Sequence, residues 1–496
     1  MTDPIMTAER LLRRFARDTN LLIAGRPMRV LGEGPTPRVL TAMLRGMGAR
    51  ILPGSDGAPT DAGWDVSDDT VTFDVGADEI LLGAEPVPDR GDASGRLEFA
   101  GAHMRVTAAL AQELKDRGTV AGLRVGIAMT LEPKTANLAL MLAEAGAQVA
   151  VYAHPDETDP DVASALRARW IPCDADATLA AEHERDVALG FLRRGFDVLV
   201  DDGSHLTRLA HEEGLTAGWI GATEETTSGL APLRAMAAEG ALRTPVIAVN
   251  DAVTKTGFDN RYGTGQSCVL AIADLLDDAG LTVRSQPALV IGYGPVGIGV
   301  AAHLRALGAA VSVAEVDPVR AMLAEHDGFE VGDALTLAAG ALVVSCTGVP
   351  RTVTQEMLEV AAIVAVAGGV PGEVDLSAVT LEPLVVEGRP VPALDVARPT
   401  TATILDRGGC INVTAAEGNP IEIMDLSFAT QLAAIAELVL TRPGIGVHAV
   451  SDAAVAHVGA VAAQARGIVL STPATTDADD AADWRSPRYR RHEAGS

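Results

Sequence analysis

The sequence predicts an α/β protein built on parallel sheets, and three observations lead there. Short Val/Ile/Leu runs alternate with Ala/Leu-rich amphipathic stretches at the spacing of repeated strand–helix units. One of these units carries a glycine-rich turn between its strand and its helix. A chain of 496 residues with 48% apolar content can bury large cores and divides into two or more domains.

In chain order, MRVLGEGPTPRVLTAMLRGMGARIL (28–52) reads as strand, helix, strand, and an acidic segment with Gly and Pro follows to about Arg90. This suggests a small extra domain. LRVGIAMTLEPKTANLALMLAEAGAQVAVYA (123–153) repeats the layout. LGFLRRGFDVLVDDGSHLT (189–207) and GWIGATEETTSGLAPLRAMAAEG (218–240) each run from a strand through polar residues into a helix. Open α/β sheets place ligands at such strand ends. In PALVIGYGPVGIGVAAHLRALGAAVSVAEVDP (287–318), an apolar strand reaches Gly292, Gly294 and Gly297, with Val296 between them. The chain continues as a helix and returns as a strand ending at Glu315. Glycines allow a pyrophosphate to approach a helix N-terminus, and the acid accepts ribose hydroxyls while repelling a 2′-phosphate. NAD is therefore expected over NADP.

A net charge of −27 repels phosphate backbones and anionic lipid, so neither nucleic acid nor membrane is an expected partner. Cys173, Cys268, Cys346 and Cys410 are widely spaced, without CxxC or a histidine spacing that suits zinc, and read as reduced, mostly buried thiols. No apolar run approaches a membrane span of about 18 residues, and the first residues lack a signal-peptide core, so the cytoplasm is the expected location.

Just ahead of the fingerprint stands NDAVTKTGFDNRYG (250–263). Of 39 Lys plus Arg, only Lys115, Lys134 and Lys255 are lysine. Lysine can lose its proton where arginine cannot, so a retained lysine is a candidate for acid/base work. Lys255 and Asp259 at i, i+4 fit equally an ordinary surface pair worth about 0.3–0.5 kcal/mol.

Across roughly residues 95–496 the chain resembles the S-adenosylhomocysteine hydrolase family. The resemblance is carried by DDGxxLT (201–207), EETTxG (224–229), NDAVTKxxFDNxYG (250–263), GYGxVGxG (292–299) and ExDP (315–318). It implies a Rossmann-type NAD domain inserted in a discontinuous α/β substrate domain, with a C-terminal arm and an N-terminal extension. The expected divisions are 1–90 for the extension, 91–264 and 418–470 for the substrate domain, 265–417 for the NAD domain and 471–496 for the arm. The arm would reach the cofactor site of a neighbouring subunit through Arg485 and Tyr489, in a homodimer or homotetramer. The family chemistry oxidises a ribose 3′-hydroxyl, which makes the C4′ proton acidic, loses the C5′ substituent, adds a nucleophile and returns the hydride. NAD ends each cycle unchanged, which implies tight retention.

By match to the family, Lys255 takes the 3′-hydroxyl proton, Asp259 and Glu225 orient the sugar, and Asp202 sits near C4′ and C5′. Asn260, Thr226, Thr227, Ser228, Thr347 and Asn412 match cofactor-contacting positions. Departures matter as much. The family's LHMTVETA reads Met129-Thr-Leu-Glu-Pro-Lys-Thr-Ala136, so a proton-handling histidine becomes Thr130, while Glu132, Lys134 and Thr135 fall on the adenine side. GHFD becomes Gly368-Gly-Val-Pro371, and GHPS becomes Gly418-Asn-Pro-Ile421, which puts Asn419 in a histidine's place. His205 either compensates or is a solvated loop residue. With the redox set kept and the C5′ set changed, the leading expectation is a nucleoside dehydratase that eliminates water, in nucleoside antibiotic biosynthesis. Two alternatives stand beside it: ordinary hydrolysis of S-adenosylhomocysteine, and a non-catalytic NAD-binding regulator. In every case the partner is a nucleoside-like small molecule.

Overall fold

The computed structural model describes residues 3–53, 71–74, 81–82, 91–284, 286–370 and 372–472. Three sheets organise the described residues. A seven-stranded, all-parallel sheet runs from edge to edge as Gly446–Ala449, Pro245–Ala248, Gly221–Glu224, Val198–Asp201, Arg124–Ala128, Gln148–Tyr152 and Cys173–Asp174. Its strands are near-continuous apolar runs because helices cover both faces. The chain builds Arg124–Ala128 first, adds strands on one side, then crosses to place Val198–Asp201 on the other. That reversal opens a crevice beyond Ala128 and Asp201, where α/β sheets bind ligands.

An eight-stranded sheet begins at Ala288–Ile291, flanked by Val311–Ala314 and Leu342–Ser345, all parallel. Its own reversal point lies beyond Ile291 and Ser345. An antiparallel hairpin, Thr380–Val386 with Arg389–Arg398, closes one edge. Strand Gly446–Ala449, far along the chain, returns to the first sheet beside Pro245–Ala248, so the second sheet is inserted within the first.

The third sheet, ordered Arg50–Ile51, Pro27–Leu31, Val71–Asp74, Leu81–Leu82, belongs to the N-terminal extension. The strand–helix–strand unit at 28–52 is present. The acidic segment after it, for which the sequence pattern named no strands, supplies Val71–Asp74 and Leu81–Leu82. Their shortness hid them, since two to four residues cannot show a periodicity. Helix Pro4–Thr19 is fastened to helix Thr264–Asp278 by Arg10 and Arg13, which pair with Asp277 at 2.7 and 2.8 Å.

One expectation about apolar runs needs correction. Helix Ile421–Thr441 is long and apolar enough to cross a membrane by length and composition. About 72% of its apolar window is buried inside the protein, so it serves as a core helix covered on nearly every side, and such helices are apolar all round. Its polar interruptions, Asp425, Ser427, Thr430 and Gln431, are all buried. Cys173, Cys268 and Cys346 are buried free thiols, and Cys410 is half-buried.

Candidate active site

After strand Pro245–Ala248 the chain enters a 3₁₀ turn, Val249–Asp251, then one helical turn, Val253–Thr256, and a π-helical turn, Asp259–Gly263. A π-turn inside helical structure often marks a functional site, because the extra residue redirects side chains. Here it directs Asp259 and Asn260 back onto Lys255. The Lys255 ammonium lies 2.7 Å from Asp259 Oδ2 and donates to Asn260 Oδ1 at 3.1 Å. Both members of the ion pair are buried, at 4% and 5% exposure, so the ordinary surface pair is excluded. Burial disfavours the charge on Lys255, but Asp259 and Glu225 outweigh it and hold the ammonium above the usual lysine range.

Glu225 follows strand Gly221–Glu224 and is 3% exposed. Its Oε1 accepts from Ser427 Oγ and its Oε2 from Gln431 Nε2 at 2.5 Å. Burial pushes this carboxyl up to about 7, against the pull of Lys255. Asp202 stands at the reversal crevice, its N–H donating to the Ala128 carbonyl at 3.0 Å. Burial also lifts Asp202 to about 7, reinforced by Glu157 and opposed by Lys255. Glu224, next to Glu225, accepts from the N–H groups of Gly203 at 3.0 Å and Ser204 at 2.8 Å, and so shapes the turn that carries Asp202. Thr226 caps helix Thr227–Ala238 and accepts from Gly203 N–H at 2.9 Å. Thr227 donates to Asn250 at 3.2 Å and Ser228 to Thr226 at 3.2 Å.

Asn419 arrives from the return crossing. It donates to Asp259 Oδ1 and to Thr264 Oγ1 at 3.1 Å, and accepts from Asn412 at 3.0 Å and Ser267 at 2.8 Å. Lys255, Asp259, Asn260, Asn419 and Asn412 are therefore linked by hydrogen bonds and an ion pair, while Glu225 and Asp202 act on Lys255 through their charges. Glu132 and Lys134 are elsewhere engaged. Glu132 caps helix Pro133–Glu144, accepts from Thr135, and pairs with Lys134 at 2.7 Å. Thr130 is half-buried just beyond strand Arg124–Ala128. His205 is an exposed residue at the start of helix His205–Glu212, and partial loss of hydration, with the charges of Arg208 and His154, holds its pKa below the usual histidine value. Arg485, Tyr489 and Pro371 lie outside the described residues.

The sequence reading missed Ser427 and Gln431. Their signal was present: polar residues at i and i+4 within an otherwise apolar helix are buried, and buried polar groups need partners.

The dinucleotide turn is tested by its own packing. Gly292 has φ +92°, in the left-handed region that favours glycine, and a Cβ there would meet Thr347 Cγ2 at 3.0 Å. A Cβ on Gly297 would collide with the Gly292 carbonyl oxygen. Helix Pro295–Leu307 opens at Gly294 without a side-chain cap, which leaves its first N–H groups for an anion. Val296 is half-buried in that first turn. Glu315 follows the next strand, its Oε2 accepting from Tyr293 N–H at 2.6 Å and its Oε1 from the N–H groups of Val316 at 2.7 Å and Asp317 at 2.9 Å, which leaves one acceptor position on Oε2 for a ribose hydroxyl. Thr347, beyond strand Leu342–Ser345, bonds Thr352 at 2.6 Å. These residues fit NAD. Gly297→Ala is expected to cut retained NAD at least about tenfold after gel filtration, measured by cofactor release on denaturation, with the fold kept by circular dichroism.

Residues 260–418 match the family described as S-adenosyl-L-homocysteine hydrolase, NAD binding domain. An adenosylhomocysteinase of Archaeoglobus fulgidus is 38% identical over 349 residues, covering 68% of this chain and 84% of that protein. The chain belongs to the S-adenosyl-L-homocysteine hydrolase family. An S-inosyl-L-homocysteine hydrolase of Methanosarcina mazei is 36% identical, covering 75% of this chain and 92% of that protein. An adenosylhomocysteinase of Thermotoga maritima is 36% identical, covering 68% and 86%. The cofactor is NAD, as the matched domain describes.

Membership overturns the expected dehydratase. The relatives that match most of their own length are named as hydrolases, which supports hydrolysis and gives no support to loss of water from an antibiotic nucleoside. The error has a physical origin. Replacing histidines with Thr130 and Asn419 shows which groups were lost, and a lost group does not specify the bond to be broken. The same relatives support an enzyme over the non-catalytic regulator.

Proposed function

We propose that this protein hydrolyses S-adenosylhomocysteine to adenosine and homocysteine. The observation that carries the reading is the buried Lys255–Asp259 pair, on whose charge Glu225 and Asp202 act, in a chain that also carries an intact dinucleotide turn. The names of the relatives support it. When bound, NAD supplies a hydride acceptor and then a donor at a ribose carbon. Lys255, charged at rest and held by Asp259 at 2.7 Å and by Asn260 at 3.1 Å, keeps a third N–H for the 3′-hydroxyl; on losing one proton to solvent it takes the hydroxyl proton as the hydride leaves and gives it back when the hydride returns. Glu225 and Asn260 fix the orientation of the sugar. Asp202, with a carboxyl near 7, takes the C4′ proton and passes it to the departing sulfur, then takes a proton from the incoming water and returns one to C4′. It does this without the histidine that Thr130 replaces. A second copy would complete the cofactor site through Arg485 and Tyr489, and light scattering of the full chain tests that assembly.

The test is thiol release by purified, NAD-loaded protein from S-adenosylhomocysteine, with the inosyl analogue in parallel. Release from the inosyl compound alone would reassign the base; release from neither would end the proposal. A group that donates in one half-reaction and accepts in the other works best near its own pKa. The rate is therefore expected to peak near pH 7, set by Asp202 at about 7. Asp202→Asn should lower kcat about 10- to 100-fold and remove that peak, measured as a pH–rate profile.

A further inference from the structure

The N-terminal extension reaches the catalytic group through one short segment. Residues 19–26, between helix Pro4–Thr19 and strand Pro27–Leu31, touch both stretches by which the chain passes between its two large sheets. On the outgoing stretch, Gln266 accepts from Ile23 N–H and donates to the Leu21 carbonyl, each at 2.9 Å. On the return, Ile421 N–H donates to the Asn20 carbonyl at 2.8 Å, and Glu422 accepts from Leu22 N–H at 2.9 Å and pairs with Arg26.

Asn20 is the centre of this clasp. Its backbone is left-handed, φ 51° and ψ 31°, a conformation that asparagine tolerates. The turn aims its side chain at Lys134, whose ammonium donates to Asn20 Oδ1 at 3.0 Å, to the Glu417 carbonyl at 2.8 Å, and pairs with Glu132 at 2.7 Å. Lys134 is 1% exposed, and three acceptors use its three protons. Two residues past Glu417 comes Asn419, which donates to Asp259. A fully bonded buried ammonium thus ties three distant segments together at the loop that holds the partner of Lys255.

We infer that Asn20 and Lys134 are positioning residues for the reaction: they fix the Glu417–Ile421 loop so that Asn419 holds Asp259 against Lys255. The inference rests on the proposed hydrolysis. It assigns the extension a part in catalysis through a chain of hydrogen bonds, with no contact to substrate. Lys134 then serves as a strut, although the family comparison in the sequence placed it on the adenine side.

The experiment uses the NAD-loaded full chain. Asn20→Gly removes the acceptor but permits the left-handed backbone; Asn20→Asp keeps an acceptor oxygen. Asn20→Gly is expected to keep its NAD and its KM within about twofold, to lose kcat about tenfold, and to shift the pH–rate profile. Asn20→Asp should restore kcat to within about twofold of the parent. Lys134→Met should behave as Asn20→Gly does. Arg10→Ala, which loosens the same extension at an exposed ion pair, should leave kcat unchanged. An unchanged kcat and pH profile in Asn20→Gly, failure of Asn20→Asp to rescue, or an equal loss in Arg10→Ala would each overturn the inference. If the parent enzyme releases no homocysteine, the hydrolysis proposal fails on its own account. Positioning is then read from the rate at which added adenosine reduces the bound cofactor, with the same order of variants expected.

Discussion

Lys255→Ala is expected to lower turnover by about 10³- to 10⁴-fold and to abolish reduction of bound NAD when a nucleoside is added. The basis is the position of the charge. The side chain is buried, paired with Asp259 at 2.7 Å, and held in its ammonium form by Asp259 and Glu225 against the cost of burial. Deleting it leaves Asp259 with its hydrogen bond from Asn419 but without a cation, and Glu225 without the charge that opposes its protonation. The loss should therefore exceed that of a single proton-transfer group. Lys255→Arg should fail nearly as badly, since guanidinium keeps its proton at any accessible pH and cannot act as the base. The measurement is the ultraviolet absorbance of reduced nicotinamide on the enzyme after mixing with adenosine. A normal absorbance rise in Lys255→Ala would remove Lys255 from the redox step.

The three lysines show what the sequence made legible and what it did not. Their rarity singled them out, and they fall into three environments: Lys115 in an exposed pair with Glu144 at 3.3 Å, Lys134 buried against Glu132 and Asn20, Lys255 buried against Asp259 and Asn260. Sequence alone could mark them as unusual without sorting them. The dinucleotide turn was readable because its physics is local: Gly292 and Gly297 serve steric needs met within a few residues of themselves. The NDAVTKTGFDN segment was readable by resemblance, but its π-turn, which brings Asp259 and Asn260 onto Lys255, follows from no periodicity in the residues.

Partners remote in sequence escaped. Ser427 lies 202 residues from Glu225 and Gln431 lies 206, while Asn20 lies 114 from Lys134. Each contact depends on how sheets and crossings stack, a tertiary fact with no local sign. The strands Val71–Asp74 and Leu81–Leu82 escaped for the related reason that pairing, and not pattern, makes them strands. Function misled in a different way, because the reading inferred a new reaction from missing histidines, whereas Asp202, lifted to about 7 by burial, already offers a proton carrier at neutral pH.

Glu225 should show how far this site sacrifices stability for reactivity. Its carboxyl rises from 4.5 to about 7 on folding, chiefly through burial. A carboxyl raised in the folded state binds its proton more tightly there than in the unfolded chain. Folding therefore bears no cost from this group below the unfolded value, and an increasing cost as pH rises from 4.5 through about 7, constant above that. The cost is on the order of 1–3 kcal/mol, the attraction of Lys255 being already contained in the folded value. Glu225→Gln removes the charge but keeps the shape, and both neighbours remain satisfied: the amide oxygen accepts from Gln431, and the amide N–H donates to Ser427 Oγ. This variant is expected to be more stable than the parent at pH 8 by about 1–2 kcal/mol, with the difference vanishing near pH 4.5, and to lose about 10²- to 10³-fold in kcat. Urea unfolding at the two pH values and steady-state kinetics measure both effects. A variant less stable at pH 8 would mean that the Lys255–Glu225 attraction exceeds the desolvation of the carboxylate, and the placement of strain at this residue would be wrong. A stabilised variant with parental kcat would instead leave the burial argument standing and remove Glu225 from the reaction, because a carboxylate that orients the sugar cannot be neutralised without loss.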